Sequence, residues 1–363
     1  MSNAPVIQRF LHNRLLVWPV LGLVAAFVLY GAAWFGAALI LQDQAQRWIE
    51  AQKSSGLSVS HGDPLLSGFP KRVIVSYPEW ETSAPATSGG WTWRTSAIQL
   101  WAKPWTPFRF TVDLTGQHSL SGLWTLPGIA VWITAQQFDI QPVLTTSGQV
   151  AEIAVEIAAL SGADEPSRTA FASVATASWN VTRLANANAS EPPLWRTAVS
   201  VTNASVPGLG QIGPFAPTIN SLKITADMTR PVGSGPLPSA LEAWRQDGGT
   251  LELRDFTLDW PPLSISASGT VAVDANLQPI GALSAKFRGF FETVDTMASQ
   301  GLVRSSEASM ARIVLGLMSR KPDGGGPPEI NLAVTVQNQK LYTGPLPLLD
   351  LPRIEWPAAM TLP

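Results

Sequence analysis

Residues 15–41, LLVWPVLGLVAAFVLYGAAWFGAALIL, form an apolar run with no charged residue. As a helix these 27 residues extend about 40 Å at roughly 1.5 Å each, more than the ~30 Å hydrocarbon core of a bilayer. A run this long and uncharged fits a tilted membrane span better than a buried helix of a soluble domain. Trp18 stands where an interfacial ring belongs, and Pro19 is placed by this reading in the first turn, where a missing N–H costs little. Arg9, His12 and Arg14 precede the run, whereas Gln42, Asp43, Gln44 and Gln46 follow it. The positive-inside rule therefore assigns residues 1–14 to a cytoplasmic tail, 15–41 to a membrane anchor and the remainder to the exported side. A cleaved signal peptide is the alternative, but its apolar region is usually only about 7–15 residues long.

Beyond the anchor, 322 residues remain, enough for one elongated domain or two smaller ones. Only 14% of the chain is charged, against about 25% in ordinary soluble domains, so the surface must be sparsely charged. The net charge of −2 gives no electrostatic footprint for nucleic acid. Cysteine is absent, which removes disulfides, thiolate metal sites and thiol nucleophiles.

Residues 42–56 read as a polar, juxtamembrane continuation of the helix, ending near Gly56. Period-2 alternation follows for more than two hundred residues. Val73, Val75 and Tyr77 begin it; Phe108, Phe110, Val112 and Leu114 continue it; Ile153, Val155 and Ile157 carry it to mid-chain. Val199, Val201, Leu222, Ile224, Leu251, Leu253, Ile265, Val271, Leu283, Phe287, Leu332 and Val336 extend it. In the run after Leu251, Thr257 and Asp259 fall in phase with Leu253. Turn chemistry at Ser67-Gly68, Gly89-Gly90, Thr115-Gly116, Gly248-Gly249 and Asp274-Ala275-Asn276 separates the runs. The expectation is a mainly β protein: an N-terminal transmembrane helix, then an extended antiparallel sheet (a curved sheet or incomplete barrel) with one apolar and one wet face, and a C-terminal helical pair. The linker at Gly233–Pro238 divides a β region at 57–232 from another at 239–363. The helices fall at about 291–321, the second with Met310, Ile313, Val314 and Leu317 on one face, Ser305 or Ser306 as its cap, and a role in covering one face or mouth of the sheet.

Gly208-Leu-Gly-Gln-Ile-Gly213 matches a dinucleotide fingerprint, but Pro207 before it and Pro214 and Pro217 after it deny the helix that chemistry needs, so it reads as a loop. The triplets at Asn180, Asn188 and Asn203 read as chance sequons. His61 beside Asp63, and His118 ahead of Ser119 and Ser121, match no nucleophile elbow and read as solvated turn residues. Asp255 with Asp259, and Asp164 with Glu165, are carboxylate pairs better explained as wet-face or loop charges, and no His/Asp/Glu spacing suits a metal. Catalytic, cofactor-binding and metal-binding residues are therefore expected to be none, with no enzyme activity. Trp80, Trp91, Trp93, Trp101, Trp105, Trp124 and Trp132 crowd the N-terminal half, either as core or lining an apolar groove or a membrane-facing surface.

Gly68-Phe-Pro-Lys-Arg72 resembles the Gly-Phe/Tyr-Pro-aromatic-Arg motif of an alphaproteobacterial envelope family, the domain of unknown function with serial number twenty-one twenty-five; Lys71 stands where an aromatic is usual. Trp91-Thr-Trp93 with Trp105-Thr-Pro107, Trp244–Gly249 leading through Trp260-Pro-Pro-Leu263 to Ser268-Gly-Thr270, and Leu341–Pro347 are similar to it in order, over most of residues 57–352. Asn338-Gln339 replaces the family's frequent Asp-Gly. The resemblance implies no activity or site residues. Its layout is similar to AsmA-like envelope proteins, which implies envelope maintenance through lipid or another apolar ligand. The competing expectation is a structural protein that binds envelope partners by strand addition.

Overall fold

The computed structural model describes residues 6–85, 90–106, 108–122, 130–145, 149–164, 168–184, 194–208, 213–230, 232–233, 235–322, 325–356 and 361–362. A helix, α1 (Val6–Ser54), runs unbroken from the tail through the apolar run to the first strand. Pro19 therefore lies in its interior rather than its first turn, because the polar residues ahead of the apolar run are helical too. Membrane helices accommodate such a proline.

The body is an antiparallel meander. Its strands are β1 (Ser58–Ser60), β2 (Leu65–Ser67), β3 (Val73–Ser83), β4 (Thr92–Ala102), β5 (Phe110–Asp113), β6 (Gly116–Ser121), β7 (Ala130–Ala135), β8 (Gln137–Leu144), β9 (Val150–Asp164), β10 (Ala170–Leu184), β11 (Leu194–Ser205) and β12 (Thr218–Met228). After β13 (Gly235–Pro236) and α2 (Leu237–Gln246) come β14 (Leu251–Trp260), β15 (Leu263–Val273) and β16 (Pro279–Arg288). The helical pair α3 (Phe290–Ser299) and α4 (Ser305–Met318) precedes β17 (Glu329–Gln337), β18 (Lys340–Thr343), β19 (Leu346–Asp350) and β20 (Thr361–Leu362).

Among the described residues eighteen strands make one curved sheet, and β13 pairs with β20 in a separate ribbon. β5 with β6, and β7 with β8, are two long strands bent at a shared corner, since β4 pairs with both halves of the first and β9 with both halves of the second. β12 and β14 pair directly, Ile224 opposite Phe256, so the ladder runs uninterrupted past the 233–238 linker. The helix that follows that linker, α2, is foreshadowed by the prolines at its start and by Ala240, Leu241 and Trp244 on one face, all buried.

Burial is concentrated at one end. Trp34, Ala38, Leu41, Ala45 and Ile49 recur on one stripe of α1 and pack on Val59, Val73, Val75, Tyr77, Trp80 and Ile98. The alanines let the helix approach, and each fully buried larger side chain contributes about 1.5–3 kcal/mol. Trp34 Nε1 donates to the Arg72 carbonyl at 3.0 Å near the start of β3, and the Trp48 and Trp80 rings lie 6.3 Å apart near its end. β3 thus runs alongside α1 in the same direction.

Candidate functional site: an uncovered apolar face

Strand register places the apolar positions of the meander on a single face. From β3 to β9 one row of paired residues reads Val75, Leu100, Val112, Ile140 and Val155. It continues through Trp179, Val199, Ile224 and Phe256, then Ala267, Ala285 and Leu332 on β17. A parallel row runs Phe138, Ile157, Ala177, Val201, Leu222, Leu258, Ile265, Phe287 and Ile330. The opposite face is polar at every matching position: Ser76, Gln99, Asp113, Asp139, Glu156 and Ser178, then Ser200, Lys223, Thr257, Ser266, Lys286 and Asn331. Eleven steps of about 4.8 Å carry the first apolar row across roughly 53 Å.

At the β3 end α1 covers this face. Farther along, the cover stops. Among the described residues of β9 to β12, Ala226 is the only buried hydrophobic, and Trp179 is 47% exposed. A sheet normally buries its apolar face against a second layer; here the middle of the face has none among the described residues.

The polar face is held by ion pairs. Asp227 accepts from Arg196 Nε at 2.7 Å and Nη2 at 2.9 Å and also from Arg254 Nε, and its carboxyl is held down to about 2, mainly by the Arg196 hydrogen bond. Arg288 donates to Glu329 at 2.8 Å and holds that carboxyl below its usual range. Ser178, Asn180, Ser200, Lys223, Thr225 and Asp255 line a shallow recess on this face.

The histidines are placed differently from the solvated turns expected of them. His118 lies within β6, 3% exposed, between the rings of Trp93 and Phe138. Burial lowers its pKa, and its Nε2 sits 2.6 Å from the Leu114 carbonyl. His61 is half-buried and stacked on Trp80 at 5.5 Å, with Nδ1 against the Gly62 carbonyl. Asp255 and Asp259 lie on the polar face, where Asp255 accepts from the Thr257 hydroxyl and Asp259 from the Asn220 amide. Asp164 accepts from the Thr169 amide; Glu165 lies outside the described residues. Among the described residues, no three His, Asp or Glu side chains converge as a metal site would require.

Of the 208–213 stretch, residues 209–212 lie outside the described residues, as does Asn188. After that stretch Phe215 stacks on Trp260 at 4.4 Å and strand β12 follows, not a helix. The tryptophans divide between two roles. Trp80 is buried core, whereas Trp105 is 63% exposed; Trp124 lies outside the described residues. α4 is capped at Arg304, whose amide donates to Glu307, rather than at Ser305 or Ser306. Its stripe covers nothing among the described residues: Met310, Ile313 and Leu317 are 63%, 60% and 83% exposed.

Residues 34–352 match a family model described as "Uncharacterized protein conserved in bacteria (DUF2125)". The chain belongs to this family. The match begins at Trp34, whose indole donates to the Arg72 carbonyl, and ends just past β19. No curated protein and no solved structure matches the chain. In this DUF2125 chain the family-like motifs build contacts. Phe69 of the Gly68–Arg72 loop lies against Phe27, Tyr30 and Trp34 of α1, and the Tyr30 hydroxyl donates to the Pro70 carbonyl. Trp244 donates to the Arg230 carbonyl at 2.9 Å and lies flat over Gly249, where a Cβ would fall 2.2 Å from the indole. Trp260 reaches the Ala216 carbonyl at 2.7 Å, fixing the β14–β15 turn.

Proposed function

We propose that the chain is a single-pass envelope protein, anchored in the inner membrane with its N-terminus cytoplasmic and its β body periplasmic, that holds or passes lipid along its apolar face. α1 is long and apolar enough to cross a membrane, which is consistent with the anchor and equally with a signal sequence. The observation that carries the lipid reading is the row from Val75 to Leu332, apolar on twelve strands and uncovered over its middle. Leaving such a face to water forfeits about 25 cal/mol for each Å² that acyl chains would cover. The kinship in layout to AsmA-like proteins belongs to this proposal and adds no residue to it. Photo-crosslinking amino acids at Trp179 and Phe256 in the full chain in cells, read by mass spectrometry, test it. Phospholipid adducts there and none at Ser200 or Thr257 are the expected result; no adduct at either apolar site refutes it.

A second reading rests on β19, which pairs only with β18 among the described strands and whose Leu346 is 64% exposed. Such an edge can accept a partner's strand. Protein adducts from β19 without lipid adducts from Trp179 would favour it.

A further inference from the structure

We infer that the loops joining β2 to β3 and β4 to β5 form a foot that sits in the leaflet on the body's side of the bilayer, with aromatic rings in the interface and cations on anionic lipid phosphates. This rests on α1 being a membrane anchor and not on what the apolar face carries.

The starting point is where the body meets α1. Phe69 packs on Phe27 at 5.9 Å, Tyr30 at 6.2 Å and Trp34 at 5.5 Å, all inside the uncharged run. The body therefore touches the helix below the end of its apolar stretch. From Trp34 to Leu41 one side of α1 is buried against the sheet, while Phe35, Leu39 and Ile40 on its other sides remain 52–53% exposed. Eight such residues span about 12 Å. Lipid, not water, is the medium that suits those exposed side chains, so the adjoining loops stand within the leaflet, from where long cationic side chains can reach the interface.

The chemistry of the loops fits that depth. Val73 pairs with Ala102, so the chain before β3 and the chain after β4 emerge side by side. Phe69, Trp105 and Phe108 are 46%, 63% and 46% exposed there. Among them stand Lys71, Arg72, Lys103 and Arg109, all exposed, and residues 64–72 and 101–110 contain no acid. None of the four cations forms an ion pair among the described residues; the Arg72 guanidinium lies over the Trp101 ring at 5.2 Å. Amphipathic rings alternating with unpaired cations match the boundary of acyl chains and phosphates. The foot lies beside the covered head of the apolar row at Val75 and Leu100, so it would hold that end of the face against the bilayer.

The chain has no cysteine, so single-cysteine labelling is direct. Full-length Trp105→Cys, Phe108→Cys, Val24→Cys and Ser200→Cys proteins carry an environment-sensitive fluorophore in phosphatidylcholine vesicles containing phosphatidylglycerol and spin-labelled acyl chains. Labels at 105 and 108 should be quenched, as should the mid-helix label at 24, and the label at 200 should not. Lys71→Gln with Arg72→Gln, or omission of phosphatidylglycerol, should lower the seated-to-free ratio by roughly tenfold or more, since each cation near an anionic surface counts about five-fold. Quenching at 24 without quenching at 105 and 108 overturns the foot and leaves the anchor standing. No quenching at 24 overturns the anchor and the foot with it. Quenching at 105 and 108 that ignores both the cation changes and phosphatidylglycerol overturns the phosphate contacts.

Discussion

Two tryptophans on the same face of the sheet should respond differently to truncation if one is core and the other lines an open surface. Trp80 is 3% exposed beneath α1, and its Nε1 donates to the Thr82 hydroxyl at 2.8 Å. Trp179 is 47% exposed between Val155 and Val199, with Nε1 donating to the Thr197 hydroxyl at 2.9 Å. Trp80→Ala removes a fully packed ring and should cost about 3–5 kcal/mol. A covered Trp buries about 150–250 Å², so half of it is about 100 Å², or about 2.5 kcal/mol at 25 cal/mol per Å². What alanine retains brings Trp179→Ala to about 2 kcal/mol. Bound acyl chains would cover the other half of the ring, so the same change should weaken lipid retention by about 2 kcal/mol, roughly 30-fold. The assay compares thermal unfolding of the full chain, followed by near-ultraviolet dichroism, with phospholipid adduct yield from a photo-crosslinker at Phe256. If Trp179→Ala destabilises as much as Trp80→Ala and leaves the adducts unchanged, the face is packed core and the argument for an open one is wrong.

Ala38 is fully buried where α1 meets the sheet, so Ala38→Leu should overpack that contact at a cost of about 1–3 kcal/mol, measured as a lowered unfolding midpoint. The Asp227 carboxyl is held at about 2, below its ordinary 3.8, so its contribution is present above about pH 4 and is lost as pH falls toward 2. With its arginine partners 42% and 48% exposed, screening limits that contribution to about 1–2 kcal/mol, and Asp227→Asn should flatten the acid limb of a stability–pH curve by that amount. Leu317→Gln on α4 should change stability by less than about 0.5 kcal/mol in the isolated chain; a loss above about 1.5 kcal/mol would mean that something covers that stripe.

Alternation made the antiparallel sheet legible, because a period of two can serve only an element whose successive side chains point to opposite faces. It did not reveal the phase changes. Counting by twos from Leu253 puts Thr257 and Asp259 beside Leu253, yet an extra residue near Asp255 shifts the register against both β12 and β15. Phe256 and Leu258 thereby join the apolar row, and Thr257 and Asp259 turn to the wet side. Glu79, at φ 53°, changes the phase of β3 without shifting its register against β4, and Trp80 is buried with Tyr77, their rings 6.0 Å apart. His118 was illegible for another reason: its burial comes from Trp93 and Phe138, distant in sequence and brought together by the bent strands. The apolar rows were visible only as separate segments, since their alignment depends on cross-strand register. The stripe on α4 was plain in its spacing, but spacing does not say whether a partner is present.

α1 enters the body without a hinge, its stripe from Trp34 to Ile49 locked against β1 and β3. Helix and body should therefore reorient as a single lever. A lean of about 20°, ordinary for a lone span, would sweep the far margin of a 53 Å ladder through about 18 Å. With α1 as the proposed membrane anchor, the distance at which that margin can meet anything else is governed by membrane thickness, through the angle it imposes on the helix.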